Sequence, residues 1–291
     1  MRIAMTYTRL RAEERLLLDA FDAEGVGVTP IDLRRVVFDP ENPGEWSGYD
    51  AVVDRSVSLT AGLNAARVIE SFSVRCINPA RAVEVCSDKL ATTLALVGAG
   101  VATPGVRVAT GADAGLEAVE AIGYPAVLKP TVGSWGRLVA RVNDRDAAEA
   151  VIEHRDTLGS ATQGVFYVQE HIDKPGRDIR VFVVGGRAIA GIVRRSEHWV
   201  TNTARGATTE GIAVAGELGD LCERAARAVG ADVAAVDVLE CPRRGLLVNE
   251  LNHSMEFRNS IDTTGVDIPG HVARHVLSIA ADVRDQSGAC V

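Results

Sequence analysis

Lysine is nearly absent from this chain. Of 31 basic residues only Lys89, Lys129 and Lys174 are lysine, so arginine serves almost wherever a surface cation is wanted. Two readings of the three exceptions stand: chance survival, or positions that need a compact, strongly hydrated ammonium in place of a planar fork, phosphate contacts among them. Long apolar runs are absent too. None approaches the roughly 18 residues of a membrane span, and Met1-Arg2-Ile3-Ala4-Met5 leads straight into a short strand with no signal-peptide pattern. No membrane partner is expected. Cys76, Cys86, Cys222, Cys241 and Cys290 are scattered and form no C-x-x-C pair. That argues against a zinc site or disulfide framework and for the cytoplasm. The P-loop pattern G-x-x-x-x-G-K-[ST] is missing. The nearest approach to G-x-G-x-x-G, Gly98-Ala99-Gly100, ends a helix instead of opening one, which disfavours a dinucleotide fold of the usual kind. A net charge of −8 argues against nucleic-acid binding while leaving room for a local basic patch.

What is present is ordinary in bulk: 291 residues, 47% hydrophobic and 24% charged, enough for two or three small domains. From the N-terminus, strand-like runs at Arg2 to Tyr7, Val26 to Leu33, Ala51 to Val57 and Arg75 to Ile77 alternate with helical periodicity at Arg11 to Phe21 and Ala61 to Phe72. Alternation of this kind predicts a small parallel α/β domain over residues 1–84. Ser87 to Val97 reads as a helix with Ser87 as N-cap. Lys89 then lies in the first turn, where the helix dipole disfavours a cation. A bound phosphate relieves that conflict; a solvated side chain also tolerates it.

Tyr124 to Pro130 is a strand ending in Lys129, followed by Thr131-Val132-Gly133-Ser134-Trp135-Gly136-Arg137 and a second strand from Leu138 to Val142. Backbone N–H groups of such a loop can cradle phosphate. A plain hairpin around a buried Trp135 is the alternative. Further on, helices are expected at Ala114 to Ile122, Asp146 to Leu158 and Gly216 to Val229. A strand over Val165 to Glu170 and a hairpin around Gly185-Gly186 ending in Arg194 and Arg195 are expected, with Ser196 to Thr209 as loop. A last helix over Ile268 to Ala280 gives way to a frayed tail from Asp282.

The most informative stretch is Leu246 to Asn252. Period-two alternation puts Glu250 and Asn252 on one face. If the hairpin formed with Val233 to Glu240 is symmetric about Arg243 and Arg244, Asp237 falls opposite Glu250. Two carboxylates facing each other across a ladder repel, and a hard divalent cation removes the penalty, Mg²⁺ taking carboxylates together with substrate phosphates. A solvated acidic hairpin face is the competing reading.

The ordered set resembles the ATP-grasp superfamily of carboxylate–amine ligases over essentially the whole chain. It comprises a lysine near a helix start, a lysine before a glycine loop, a Gln169-Glu170 strand, an arginine-ended hairpin, and Asp237 with Asn249-Glu250-Leu251-Asn252. Lys129-Pro130 with Gly133-Ser134-Trp135-Gly136-Arg137, the run Asn249 to Asn259, and the following Thr263 to Pro269 resemble the carrier-protein ligases of lysine and arginine biosynthesis, relatives of the ribosomal-protein glutamate ligases. The resemblance implies an α/β ATP-grasp fold: a pre-ATP-grasp domain at 1–84, subdomains at 85–168 and 169–282 with nucleotide between them, and a tail at 283–291. It implies ATP and Mg²⁺ as cofactors. Lys89 and Lys129 match the phosphate lysines, Gly133, Ser134, Trp135 and Gly136 the phosphate-covering loop, and Gln169, Glu170, His171 and Ile172 the adenine hinge. Asp237, Glu250 and Asn252 match the magnesium ligands, and Arg194 the stabiliser of an acyl phosphate. Arg180, Arg195, Asn202, Arg205, His253, Glu256, Arg258 and Asn259 are the candidates for the amino-acid pocket.

The implied reaction activates the C-terminal glutamate γ-carboxylate of a small acidic amino-group carrier protein. The product amide joins it to the α-amino group of 2-aminoadipate or glutamate. These substrates differ by one methylene, worth only about 1–3 kcal/mol in a pocket. The resemblance also implies a homo-oligomer, dimer or tetramer. A glutamate-adding ligase acting on a ribosomal protein or small cofactor, and a non-catalytic ATP-binding regulatory protein, are the alternatives.

Overall fold

The computed structural model describes residues 1–133, 138–159, 164–199, 201 and 208–288. The first layer is built from β1 (Ile3–Tyr7), α1 (Ala12–Ala23), β2 (Val28–Asp32), β3 (Ala51–Asp54), α2 (Leu59–Ser71), β4 (Arg75–Ile77) and α3 (Ala80–Ser87). Its sheet runs β2-β1-β3-β4 with every pair parallel, as the alternation predicted. Ile3 to Met5 and Ala51 to Val53 are buried throughout, the pattern of strands covered on both faces.

Next comes α4 (Lys89–Gly98), whose N-cap corrects the expectation. Asp88 Oδ1 accepts from the backbone N–H of Leu90 (2.8 Å) and Ala91 (3.0 Å). Ser87 is instead the last residue of α3, and its hydroxyl donates to Val83 O at 2.6 Å. A preceding helix has claimed the serine, and the extended backbone at the next position lets the aspartate cap. Lys89 stays in the first turn.

The central layer contains β5 (Val106–Ala109), α5 (Ala112–Ile122), β6 (Ala126–Lys129), β7 (Ala140–Val142), α6 (Arg145–Leu158) and β8 (Phe166–Glu170). It is an antiparallel sheet of order β5-β8-β6-β7 with its own core of Val119, Leu128, Ile152, Phe166 and Val168.

The last layer holds β9 (Arg177–Val184), β10 (Arg187–Arg195), β11 (Thr208–Ile212), α7 (Glu217–Val229), β12 (Val233–Cys241), β13 (Gly245–Asn252), α8 (Arg258–Thr264) and α9 (Ile268–Gly288). Its antiparallel sheet runs β11-β10-β9-β12-β13. Three elements differ from expectation. β11 starts at Thr208, inside the stretch expected to be loop, because the β10 edge supplies a ladder that overrides its polar composition. α8 follows the buried Phe257. α9 continues past Asp282 to Gly288, and Arg284 lies 3.9 Å from Asp50 of the first layer.

One core joins the first and last layers. Met5, Leu17 and Phe21 pack in the same cluster as Phe182, Met255, Phe257, Val272 and Val276. On the opposite face of the last sheet, Ala82, Val85 and Leu96 of α3 and α4 pack with Leu221, Ala225 and Val229 of α7. The central sheet shares neither core, and a cleft separates it from the last one. No described helix is long and apolar enough to cross a membrane.

Candidate active site

The cleft encloses about 610 Å³ and is walled by β6 and β8 on one side and by β9, β10, β12 and β13 on the other. Its floor is the β12–β13 hairpin, where Asp237 stands opposite Glu250 as the turn symmetry predicted. The route to that pairing was different. Cys241 pairs with Gly245, so the turn centres on Arg243 and the ladder above it is shifted by one residue. The register then breaks between Asp237/Glu250 and Val238/Val248, leaving Asn249 as an extra residue that restores the pairing.

The bulged Asn249 reaches across the cleft. Its Oδ1 accepts from Lys129 Nζ at 3.0 Å and from Gln169 Nε2 at 3.2 Å. Lys129 Nζ also donates to Gln169 Oε1 at 2.8 Å. Lys129 is only 8% exposed. Burial pushes its ammonium down to about 8, against the support of the Glu250 charge. Lys89 donates to Gly133 O at 2.8 Å, and its own backbone N–H to Thr131 O at 2.8 Å, which ties the start of α4 to the loop after β6. Burial lowers its pKa as well, opposed by Glu250 and Asp88.

A second network lies deeper. Arg180 holds Asp237 through both oxygens, at 2.7 and 2.8 Å. Arg194 bridges two carboxylates: Nε donates to Asp178 at 2.6 Å and Nη2 lies 3.2 Å from Asp237. Lys174 donates to Thr201 Oγ1 at 2.6 Å and lies 3.5 Å from Asp178, which also accepts from Thr201. Burial pushes the Asp237 carboxyl upward, but Arg180 and Arg194 outweigh it and hold the group well below the usual carboxylate range. Burial likewise disfavours the Arg194 cation, and Asp237 and Asp178 overcome that to raise its pKa. Both stay charged.

Asp237, Glu250 and Asn252 suit a hard cation. Two carboxylates and an amide are the oxygen donors that Mg²⁺ accepts alongside phosphate. Among the described residues Asp237 Oδ1 accepts one N–H, from Arg180, leaving a lone pair for a further partner. Asn252 Nδ2 is buried with no hydrogen-bond partner among the described residues. Turning that amide presents its oxygen where the unpaired donor now sits.

Gln169, Glu170, His171 and Ile172, which the resemblance matched to an adenine hinge, line the cleft together. Gln169 is buried, and its amide is committed to Lys129 and Asn249. Glu170 Oε1 is likewise engaged, by the Gly105 N–H and by Arg244 of the hairpin turn. The His171 ring centroid lies 6.1 Å from that of Trp199.

Of the pocket candidates, Arg180, His253 and Glu256 line the cleft. Burial, with Arg55 beside it, holds the His253 imidazole down to about 4. Burial raises the Glu256 carboxyl, against the pull of Arg11 at 3.3 Å. Arg195 is exposed and pairs with Glu210 at 3.5 Å, while Arg258 and Asn259 are exposed at the start of α8; none of these three lines the cleft. Ser134, Trp135, Gly136, Asn202 and Arg205 lie outside the described residues.

Sequence reasoning passed over Asn249, Asp178 and Thr201, and gave Lys174 no role. It also missed Arg11, Ser56 and Thr60, which bring the first layer into the cleft wall. The lysine scarcity was the available signal for Lys174. Cys86 lines the cleft, but burial pushes its thiol up to about 12, so it carries no thiolate at neutral pH.

Comparison with known proteins agrees with this layout. The model of the RimK-like ATP-grasp domain matches residues 86–276, and that of the LysX preATP-grasp domain matches residues 3–85. The chain therefore belongs to the RimK-like ATP-grasp family, and with it to the ATP-dependent ligases. The alpha-aminoadipate–LysW ligase LysX of Sulfurisphaera tokodaii is 31% identical over 279 residues, 95% of this chain and 98% of that protein. The glutamate–LysW ligase ArgX of the same organism is 32% identical over the same shares. The ribosomal protein bS6–L-glutamate ligase of Escherichia fergusonii is 32% identical over 78% of this chain and 76% of its own. Among solved structures, a RimK domain ATP-grasp protein from Sphaerobacter thermophilus superposes with a TM-score of 0.77 at 30% identity, covering 95% of this chain and all of that one. These relatives support a carboxylate–amine ligase of lysine or arginine biosynthesis.

Proposed function

We propose that this ligase activates the C-terminal glutamate of a small acidic amino-group carrier protein and couples it to the α-amino group of 2-aminoadipate or glutamate. The γ-carboxylate takes the terminal phosphoryl group of ATP, giving an acyl phosphate and ADP. The amine then attacks the acyl carbon, phosphate leaves, an amide forms and the nitrogen sheds a proton. The observation that carries this reading is the gathering of Lys89, Lys129, Lys174, Arg180 and Arg194 in one cleft of a chain whose net charge is −8. Such a concentration of cations suits polyphosphate and acyl phosphate, and fixed charges at the site of developing negative charge are the main catalytic resource of phosphoryl transfer.

In this reading Lys89 and Lys129 hold the ATP phosphates, and residues 169–172 hold the base. Arg194, fixed by Asp178 and Asp237, meets the transferring group. Asp237, Glu250 and Asn252 would hold Mg²⁺, which neutralises phosphate charge when bound. Residues 1–84 close the amine side through Arg11, Ser56 and Thr60, while 85–168 and 169–282 clasp the nucleotide. Similarity to ligases named for alpha-aminoadipate and for glutamate is equally strong, so both amines belong to the proposal.

The test is ATP turnover with a glutamate-terminated acidic carrier, supplying each amino acid separately and reading the carrier's intact mass. A mass gain with either amino acid supports the reading and names the substrate. Absence of both ADP and mass gain sinks it, and gain on a ribosomal-protein tail alone moves the enzyme to the other branch.

A further inference from the structure

Lys129 is a buried ammonium whose hydrogen-bond partners among the described residues are two neutral amide oxygens, Gln169 Oε1 and Asn249 Oδ1. A buried cation without a hydrogen-bonded counter-ion is costly. An ammonium has three donors, so one N–H remains. Asn249 is available only because the β13 register breaks at that residue. Without the bulge, its side chain and that of Glu250 could not both serve the cleft, since neighbours on a regular strand point to opposite faces. Asn249 is tied to Gln169 as well as to Lys129, closing a three-membered ring of side chains from β6, β8 and β13.

We propose that Asn249 is a positioning residue. Together with Gln169 it occupies two of the three Lys129 donors, so that the third is aimed at an anionic phosphate oxygen of the bound nucleotide. The proposal rests on the nucleotide reading of Lys129. It assigns the bulge a purpose: presenting a neutral acceptor to the lysine while leaving Glu250 paired opposite Asp237. A neutral acceptor orients the ammonium without cancelling its charge, which an aspartate at this position would do.

The test is a thermodynamic cycle on ATP binding, read by calorimetry on the full chain with thermal unfolding as a control. Asn249→Leu keeps the branching at Cγ and removes the acceptor. It is expected to weaken ATP about tenfold, the size of one lost charge-assisted hydrogen bond. The same change in a Lys129→Ala background is expected to have no further effect, because the residue acts only through the lysine. Asn249→Asp keeps the geometry and is expected to weaken ATP as well, by neutralising the ammonium. Equal weakening by Asn249→Leu with and without Lys129, or unchanged ATP affinity in folded Asn249→Leu or Asn249→Asp, overturns the proposal while leaving the nucleotide reading intact. Failure of the unaltered chain to bind ATP overturns both.

Discussion

Asp237 stands opposite Glu250 on the hairpin, yet its carboxylate is gripped by Arg180 and Arg194. The repulsion expected between the two acids is therefore relieved by arginines before any cation arrives. Replacing Asp237 with Asn leaves Arg194, itself only 5% exposed, with Asp178 as its remaining carboxylate. Loss of one partner from a buried ion pair costs roughly 3–5 kcal/mol. Asp237→Asn should lower urea-unfolding stability by about that much and abolish turnover. Because the folded pKa lies below the unfolded one, the Asp237 contribution is complete well above the unfolded value of about 4 and is lost progressively as pH falls from there through the lower folded value. Wild-type stability that collapses between pH 6 and 5 through this group would contradict the assignment.

Lys129 runs the other way. Its pKa drops on folding, to about 8, so the unfolded chain binds more protons between that value and its own of about 10.4. The sign makes the unliganded protein gain stability from this residue as pH rises through that window, by a total on the order of 3 kcal/mol. Lys129→Met removes the effect, and the difference in stability between the two proteins should narrow or reverse from pH 8 to 10. ATP affinity should fall over the same range in the wild type, as the ammonium is lost, and stay flat in the variant. Parallel pH curves for the two proteins would refute this.

The gathering of six sequence-derived candidates in one cleft was legible in the sequence for a physical reason. Lys89, Lys129, Gln169, Asp237, Glu250 and Asn252 sit at helix starts, strand ends or alternating strand positions, where local periodicity fixes direction. Asn249 escaped because a bulge breaks that period, and nothing in Leu246 to Asn252 announces one. The pairing of Asp237 with Glu250 was reached although the turn was placed half a residue too far along, the bulge compensating for the offset. Arg11, Ser56 and Thr60 escaped for another reason: they enter the cleft through packing between distant layers, where the apolar faces of α1 and α9 set the approach. Arg258 has the opposite history. The resemblance made it a pocket candidate, but it lies exposed at the start of α8.

His253 offers a clean check on proton chemistry. Burial and the Arg55 charge hold its imidazole down to about 4, so the ring is neutral across the working range. It cannot supply an acid limb near the ordinary histidine value of about 6.5. His253→Gln should leave the shape of the pH–rate profile between 6 and 8 unchanged, whatever it does to the rate itself. Disappearance of a limb near 6.5 in that variant would show that the ring titrates in the normal range and that its burial is incomplete in solution.

The first layer is coupled to the cleft through Glu14, which is fully buried. Its carboxylate accepts from Arg11 at 2.8, 3.1 and 2.9 Å and from Arg55 at 3.2 Å. Arg55 in turn donates to Met255 O at 3.1 Å, and Arg11 lies 3.3 Å from Glu256, so two links reach the segment after β13. Burial opposes ionisation of Glu14, but the two arginines prevail and lower its pKa. Glu14→Gln keeps the shape and removes the charge, leaving Arg55 buried beside a neutral amide. The expected cost is about 3 kcal/mol, toward the lower end for a broken buried pair. By contrast, Arg274→Ala, which breaks exposed pairs with Glu24 and Asp267, should cost under about 1 kcal/mol. Because Glu14 supports the Met255–Glu256 segment and, among the described residues, makes no hydrogen bond to Lys89 or Lys129, its loss should raise KM for the proposed amine or carrier and leave ATP affinity unchanged. A selective loss of ATP affinity in Glu14→Gln would place the first layer on the nucleotide side of the cleft and reverse the assignment of its two ends.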